Sequence, residues 1–200
     1  MITLRDFTFN LEESKVKNYA RNSKITRVLN SFSLLLPVGE RYFIESVRSY
    51  KDEVSENLKK DIELFIKQEG PHGLQHRNLN KMLGVDLSLT DSEALGILNK
   101  YGIDKEHKLL VTVTLERYTG LMGYTMPFVK KFLFPKQNEF AHLWIKHAKE
   151  EKEHIEVPEK LMKEVCNFSK VKQAKMFLIA GYELGRITVK NYKLLQTKSN

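Results

Sequence analysis

An all-α bundle of four main helices with an additional C-terminal helix is the fold class this sequence predicts, on three observations. Apolar residues recur at three- and four-residue intervals along nearly the whole chain. Strand-like alternation of apolar and polar residues is absent, and the breaks between periodic segments carry turn and capping residues. Together these give helices packed on helices.

The elements follow in order. Residues 24–50 carry Val28, Leu29, Phe32, Leu36, Phe43 and Val47, and residues 55–83 carry Leu58, Ile62, Phe65, Ile66, Leu79 and Leu83. A loop with Gly84, Asp86, Ser88, Thr90 and Asp91 leads to a weaker helix over 91–100, closed by Gly102. Residues 104–126 resume the pattern with Leu109, Val113 and Leu121, and Pro127 is expected to limit it. After Phe134 and Pro135 comes 138–165, with Phe140, Trp144, Leu161 and Val165, and then 169–195, with Val171, Phe177, Leu178 and Leu184. The expectation is one helical metal-binding domain over residues 1–200, its motif-bearing core at about 30–165 and its last helix at about 169–195.

Composition removes several function classes. At 200 residues the chain is long enough to bury roughly 70% of its unfolded surface. Its longest apolar run, MFLIAGY at 176–182, is too short to span a bilayer, and the N-terminus lacks the layout of a signal peptide. One cysteine, Cys166, permits no internal disulfide, which fits a cytoplasmic location. The net charge of +8 comes mostly from scattered lysines, with only eight arginines, so a solvated basic surface is expected and a nucleic-acid partner is not.

The stretch QEGPHGLQH at 68–76 and the stretch HAKEEKEH at 147–154 carry the chemistry. At about 100° per residue, Glu69, His72 and His76 share a stripe with Ile62, Phe65 and Leu83. On the fourth helix His147, Glu151 and His154 align with Phe140, Trp144 and Val165. Both polar groups therefore point into the core. Nineteen glutamates and six histidines give about 0.6 Glu-x-x-His matches by chance, and a third match, Glu139 with His142, falls on the outer face and serves as a control. Pro71 leaves two options open: a continuous helix kinked at the motif, or one helix ending near Gly70 and another opening at Pro71.

Two more carboxylates complete the set. Glu40 shares the face of Leu29, Leu36, Phe43 and Val47, whereas Glu45 lies opposite. Glu116 aligns with Leu109, Thr112, Thr119 and Gly123, and the small residues Thr119, Gly120 and Gly123 suggest a cavity beside it. The order Glu, Glu-x-x-His, Glu, Glu-x-x-His is the ligand order of a ferritin-like dinuclear carboxylate bundle. Residues three apart on a helix converge on one ion, and carboxylates bridge two cations while cancelling their charge.

The blocks LPVGERYFIESVR, FIKQEGPHGLQHRNLN, LERYT and LWIKHAKEEKEH resemble those of a bacterial family of predicted metal-dependent hydrolases, over roughly residues 30–160. The resemblance implies metal-binding roles for Glu40, Glu69, His72, Glu116, Glu151 and His154, the positions already reached from helical phase. Lys146, Ile155 and Pro158 depart from the family pattern and leave those six intact.

His76 and His147 lie about one turn from the ligand pairs on the inward stripes and are the candidate catalytic residues, as proton-transfer groups, further ligands or supports of a carboxylate. The expected cofactor is a pair of divalent ions, iron first, manganese or zinc otherwise. Three functions fit: O2-dependent oxidation of a small substrate by a di-iron pair, which the sequence reading favours; hydrolysis by a metal-activated water; and non-catalytic metal binding. The expected partner is a small-molecule substrate, and a homodimer is compatible with the sequence.

Overall fold

The computed structural model describes residues 2–198. Among them eight α-helices form and no strand does, which is the all-α bundle the periodicity predicts: α1 (Ser23–Ser33), α2 (Leu36–Arg48), α3 (Glu56–Lys81), α4 (Leu87–Tyr101), α5 (Lys105–Leu133), α6 (Glu139–His154), α7 (Glu156–Val165) and α8 (Lys170–Thr197). The most extensive pairings are α5 with α6 and α2 with α3, while α8 lies across α1 and α5.

Prolines explain where the boundaries differ from expectation. The helix expected over 24–50 is two, broken at Leu34 and Leu35, because Pro37 opens α2 without an N–H for the Ser33 carbonyl. The carbonyls freed by the break find side chains instead. Asn80 Nδ2 donates to the Ser33 carbonyl at 2.9 Å, and Asn191 Nδ2 donates to the Ser31 carbonyl at 3.2 Å. The segment expected over 138–165 is also two helices, divided at Ile155, where Pro158 has no N–H for the His154 carbonyl.

Two other prolines do not end their helices. α3 runs continuously through Pro71, so of the two options there the unbroken helix is the one realised. α5 passes Pro127 and continues to Leu133, contrary to the expected limit; Pro127 is exposed, and one missing bond on a solvated turn is tolerated. α4 starts four residues before its expected position. Asp86 is its N-cap, accepting from the N–H groups of Ser88 and Leu89, so part of the expected loop is the first helical turn.

The apolar interior falls into two clusters, one containing Phe65, Ile62, Leu109 and Leu161, the other containing Trp144, Phe140, Leu34 and Leu143. His154 packs against Phe65 and His76 against Trp144, which places the histidines between the two. Not every residue of the apolar pattern is interior: Val28, Leu121, Val171 and Leu178 are exposed. Residues 2–22, helical only in a 3-10 turn at Glu13–Lys15, wrap the bundle and bury Ile2, Phe7, Val16 and Tyr19. Tyr19 stacks on Phe140 and its hydroxyl accepts from Trp144 Nε1 at 2.9 Å, which ties this segment to α6. No helix among the described residues is long and apolar enough to cross a membrane.

Candidate metal centre

Four helices deliver the polar residues: α2 brings Glu40, α3 brings Glu69, His72 and His76, α5 brings Glu116, and α6 brings His147, Glu151 and His154. All eight are at most 2% exposed. Close backbone approach makes this possible at two glycines. A Cβ on Gly73 would stand 2.8 Å from Glu40 Oε2, and one on Gly123 would stand 2.3 Å from the Ala148 carbonyl oxygen. Gly123 and Gly120 therefore seat α6 against α5. At Gly120 and Gly123 the expected space is filled by α6 and the Ile155 side chain, whereas Thr119 lines an apolar cavity together with Glu40.

Two sets of donor atoms converge. Glu69, His72, Glu151 and His154 each present one ligand atom within 4.8 Å of the others, and Glu40, His72 and His147 do the same. Glu116 lies in the same electrostatic cluster, beside Glu69 and Glu151. Both carboxylate oxygens of Glu40, Glu69 and Glu116, with Nδ1 of His72 and of His154, are buried without a hydrogen-bond partner. Leaving that many polar atoms unpaired in an apolar interior is costly, and in native proteins such groups are otherwise satisfied. His154 Nδ1 and Glu69 Oε1 illustrate the geometry: they are 2.8 Å apart, yet no hydrogen bond is directed between them. Donor atoms that are close to one another but not aimed at one another fit a cation.

The outer nitrogen of each histidine is held by a group whose own polarity is fixed. Gln68 Nε2 donates to the Thr3 carbonyl at 3.1 Å, so Gln68 Oε1 is the acceptor for His154 Nε2 at 2.8 Å. The Glu150 carboxylate accepts from His72 Nε2 at 2.8 Å. With the Nε2 proton so engaged, the neutral form of each ring turns the Nδ1 lone pair inward, which is how surrounding hydrogen bonds prepare a metal-ligating histidine.

His147 is held through a longer chain. Because Asn80 Nδ2 is used on the Ser33 carbonyl, Asn80 Oδ1 accepts from Ser33 Oγ at 2.7 Å. Ser33 Oγ then accepts from His76 Nδ1 at 2.8 Å, and His76 Nε2 accepts from His147 Nδ1 at 2.8 Å. In the neutral form of His147, Nε2 then faces Glu151 Oε1 at 2.7 Å without a proton, and in the charged form it donates there. With His147 neutral, the row from Asn80 to Glu151 has one proton fewer than it has contacts. Burial pushes both His76 and His147 down, His76 far down.

The charges are correspondingly divided. Burial, with Glu69 and Glu151 close by, pushes Glu40 and Glu116 well above the usual carboxylate range. For Glu151 burial acts in the same direction but His147 and His154 outweigh it, holding the group well below that range. Burial opposes protonation of His154 and His72, and the surrounding carboxylates overcome it, so both rise. The interior has a field that attracts positive charge.

Helical phase did not find Gln68, Glu150, Arg5, Phe7, Ser33 or Asn80. Glu150 is fully buried, and Arg5 from the N-terminal segment approaches it at 3.6 Å. The Phe7 ring covers His72 at 4.2 Å between centroids. The control pair Glu139 and His142 lies at the surface, with side chains 45% and 50% exposed.

A sequence profile of the family described as predicted metal-dependent hydrolases matches residues 3–200. The chain belongs to that family. No curated protein and no solved structure matches it. The family is described as metal-dependent, and the buried carboxylate and histidine donors fit a divalent cation on chemical grounds.

Proposed function

We propose that this member of the family is a hydrolase that holds two divalent ions in the ferritin-like arrangement, with Glu40, Glu69, His72, Glu116, Glu151 and His154 as ligands. The observation that carries this is the set of buried, unpartnered carboxylate oxygens facing inward-turned imidazole nitrogens. Carboxylate-rich sites of this kind serve both oxidation and hydrolysis, so the ligands alone do not choose. The family description favours hydrolysis over the di-iron oxidation that the sequence reading favours.

When bound, the ions would supply Lewis acidity, making a water molecule acidic near neutral pH and polarising a substrate oxygen. The chain's own residues handle the proton. In its neutral form His147 carries no proton on Nε2, which faces the site, and it is the base for the attacking water. The water oxygen bonds to the acyl carbon, the bond from that carbon to the leaving atom breaks, and His147 returns the proton to the leaving atom. His76 and Ser33 keep His147 in the required tautomer. Phe7 covers His72 and shields the site from bulk water.

The test is to load the metal-free protein separately with zinc, manganese and ferrous iron. Two ions per chain by elemental analysis, with zinc- or manganese-dependent cleavage of p-nitrophenyl esters, is the expected result. Rapid reaction of the ferrous protein with O2, together with inert zinc and manganese forms, would replace hydrolysis by oxidation.

A further inference from the structure

We infer that the substrate carries a short, uncharged aliphatic chain, and that this chain lies in an apolar cavity running from Glu40 between α2, α4, α5 and α8. The inference rests on the hydrolase reading and adds the substrate class to it. The cavity has a volume of about 100 Å³, and Phe43, Leu98, Val111 and Ile187 form much of its wall. Glu40 and Thr119 lie in that wall as well. Glu40 also presents an oxygen to His72 and His147 within the metal-ligating set, so cavity and cluster share one residue.

The chemistry of the wall specifies the occupant. Its other acidic group, Glu183, is already engaged, accepting from Tyr101 Oη at 3.0 Å and from Arg186 Nε at 2.7 Å. Among the lining residues only Glu40 has buried polar side-chain atoms without a partner. A phosphate, a carboxylate or a sugar placed there would find no donor to replace its lost water, whereas a hydrocarbon chain needs none. An apolar cavity of about 150 Å³ holds a benzene ring, so one of this size suits a chain of about four carbons. With the chain in the cavity, its functional end is placed toward Glu40, the residue that the cavity shares with the cluster.

Acetohydroxamate and its straight-chain homologues up to octanohydroxamate are suitable probes, because the head group binds zinc and only the chain varies. Calorimetric titration of the zinc-loaded full chain should show affinity rising up to about fourfold per methylene, the value for a buried CH2, over about four methylenes and then levelling. Ala94→Leu and Ala180→Leu, made separately on two walls of the cavity, should bind acetohydroxamate as the native protein does and hexanohydroxamate at least tenfold more weakly. Elemental analysis and thermal unfolding check that each variant is loaded and folded, and the homologous series on the native protein decides the matter if neither variant folds. Zinc uptake and acetohydroxamate binding with no gain from added methylenes would overturn this inference alone. Failure of the folded native protein to take up zinc would overturn the hydrolase reading and this inference with it.

Discussion

His76 Nε2 lies 2.8 Å from His147 Nδ1, and this contact connects the Ser33 carbonyl, freed by Pro37, to the carboxylate of Glu151. A backbone break in one helix thereby fixes the tautomer of a histidine on another. If His147 acts as the base, His147→Gln should retain both metal ions and lower kcat by about 10²–10⁴. His154→Gln should lose metal. Ser33→Ala, which removes the support of His76, should leave metal content unchanged and alter the pH profile of kcat. Elemental analysis beside steady-state kinetics separates these, and loss of metal in His147→Gln would make His147 a ligand.

Glu40 and Glu116 are poorly suited to the metal-free fold, since burial and neighbouring carboxylates raise both. A carboxyl raised in the folded state favours folding while it stays protonated. That contribution is complete below its ordinary value of 4.5 and is lost as pH rises through the folded value. Glu116→Gln should therefore stabilise the metal-free protein at pH 7 by about 1–3 kcal/mol, with little effect near pH 4, and should weaken metal binding. Chemical denaturation of both proteins at the two pH values measures this. Equal stabilities at pH 7 would show that the carboxylate is well accommodated without metal.

The helices and their inward faces were legible in the sequence because 3.6-residue periodicity survives wherever a helix is half buried. Glu40, Glu69, Glu116 and Glu151 could each be placed inside from one wheel. Glu150 could not. It lies 100° from Glu151 around α6, where it meets His72 of α3 and Arg5 of the N-terminal segment, which has no periodicity. The breaks at Leu34 and Ile155 were signalled by Pro37 and Pro158, but the same residue type at Pro71 and Pro127 breaks nothing, and the difference lies in tertiary context.

The N-terminal segment should control exchange of the ions. Phe7 is buried against His72, Arg5 binds Glu153 at 2.6 Å, and the Thr3 carbonyl holds Gln68 in orientation. Phe7→Ala removes the ring and leaves the hydrogen bonds of Thr3 and Arg5. A Phe→Ala change in a core costs about 3–5 kcal/mol, and here that loss should appear as local opening of the segment. The expected outcome is zinc release to a chelator at least tenfold faster, with amides of residues 2–10 exchanging faster and those of α3 unchanged. Unaltered release would show that the ions leave by another route.

The surface pair provides the sharpest check of helical phase in α6. Glu139 and His142 repeat the spacing of Glu151 and His154 on the same helix, yet their side chains are about half exposed and 3.7 Å apart. An exposed pair of this kind contributes little to stability, about 0–1 kcal/mol. Replacing both Glu139 and His142 with alanine should leave metal content unchanged and thermal stability nearly so, apart from the small loss of the Asn10 N–H bond to Glu139. Glu151→Ala should lose metal, because Glu151 faces His72, His147 and His154 together. Elemental analysis of the two variants after identical reconstitution decides the point: equal metal loss in both would mean that spacing along the helix, and not the face it selects, governs binding.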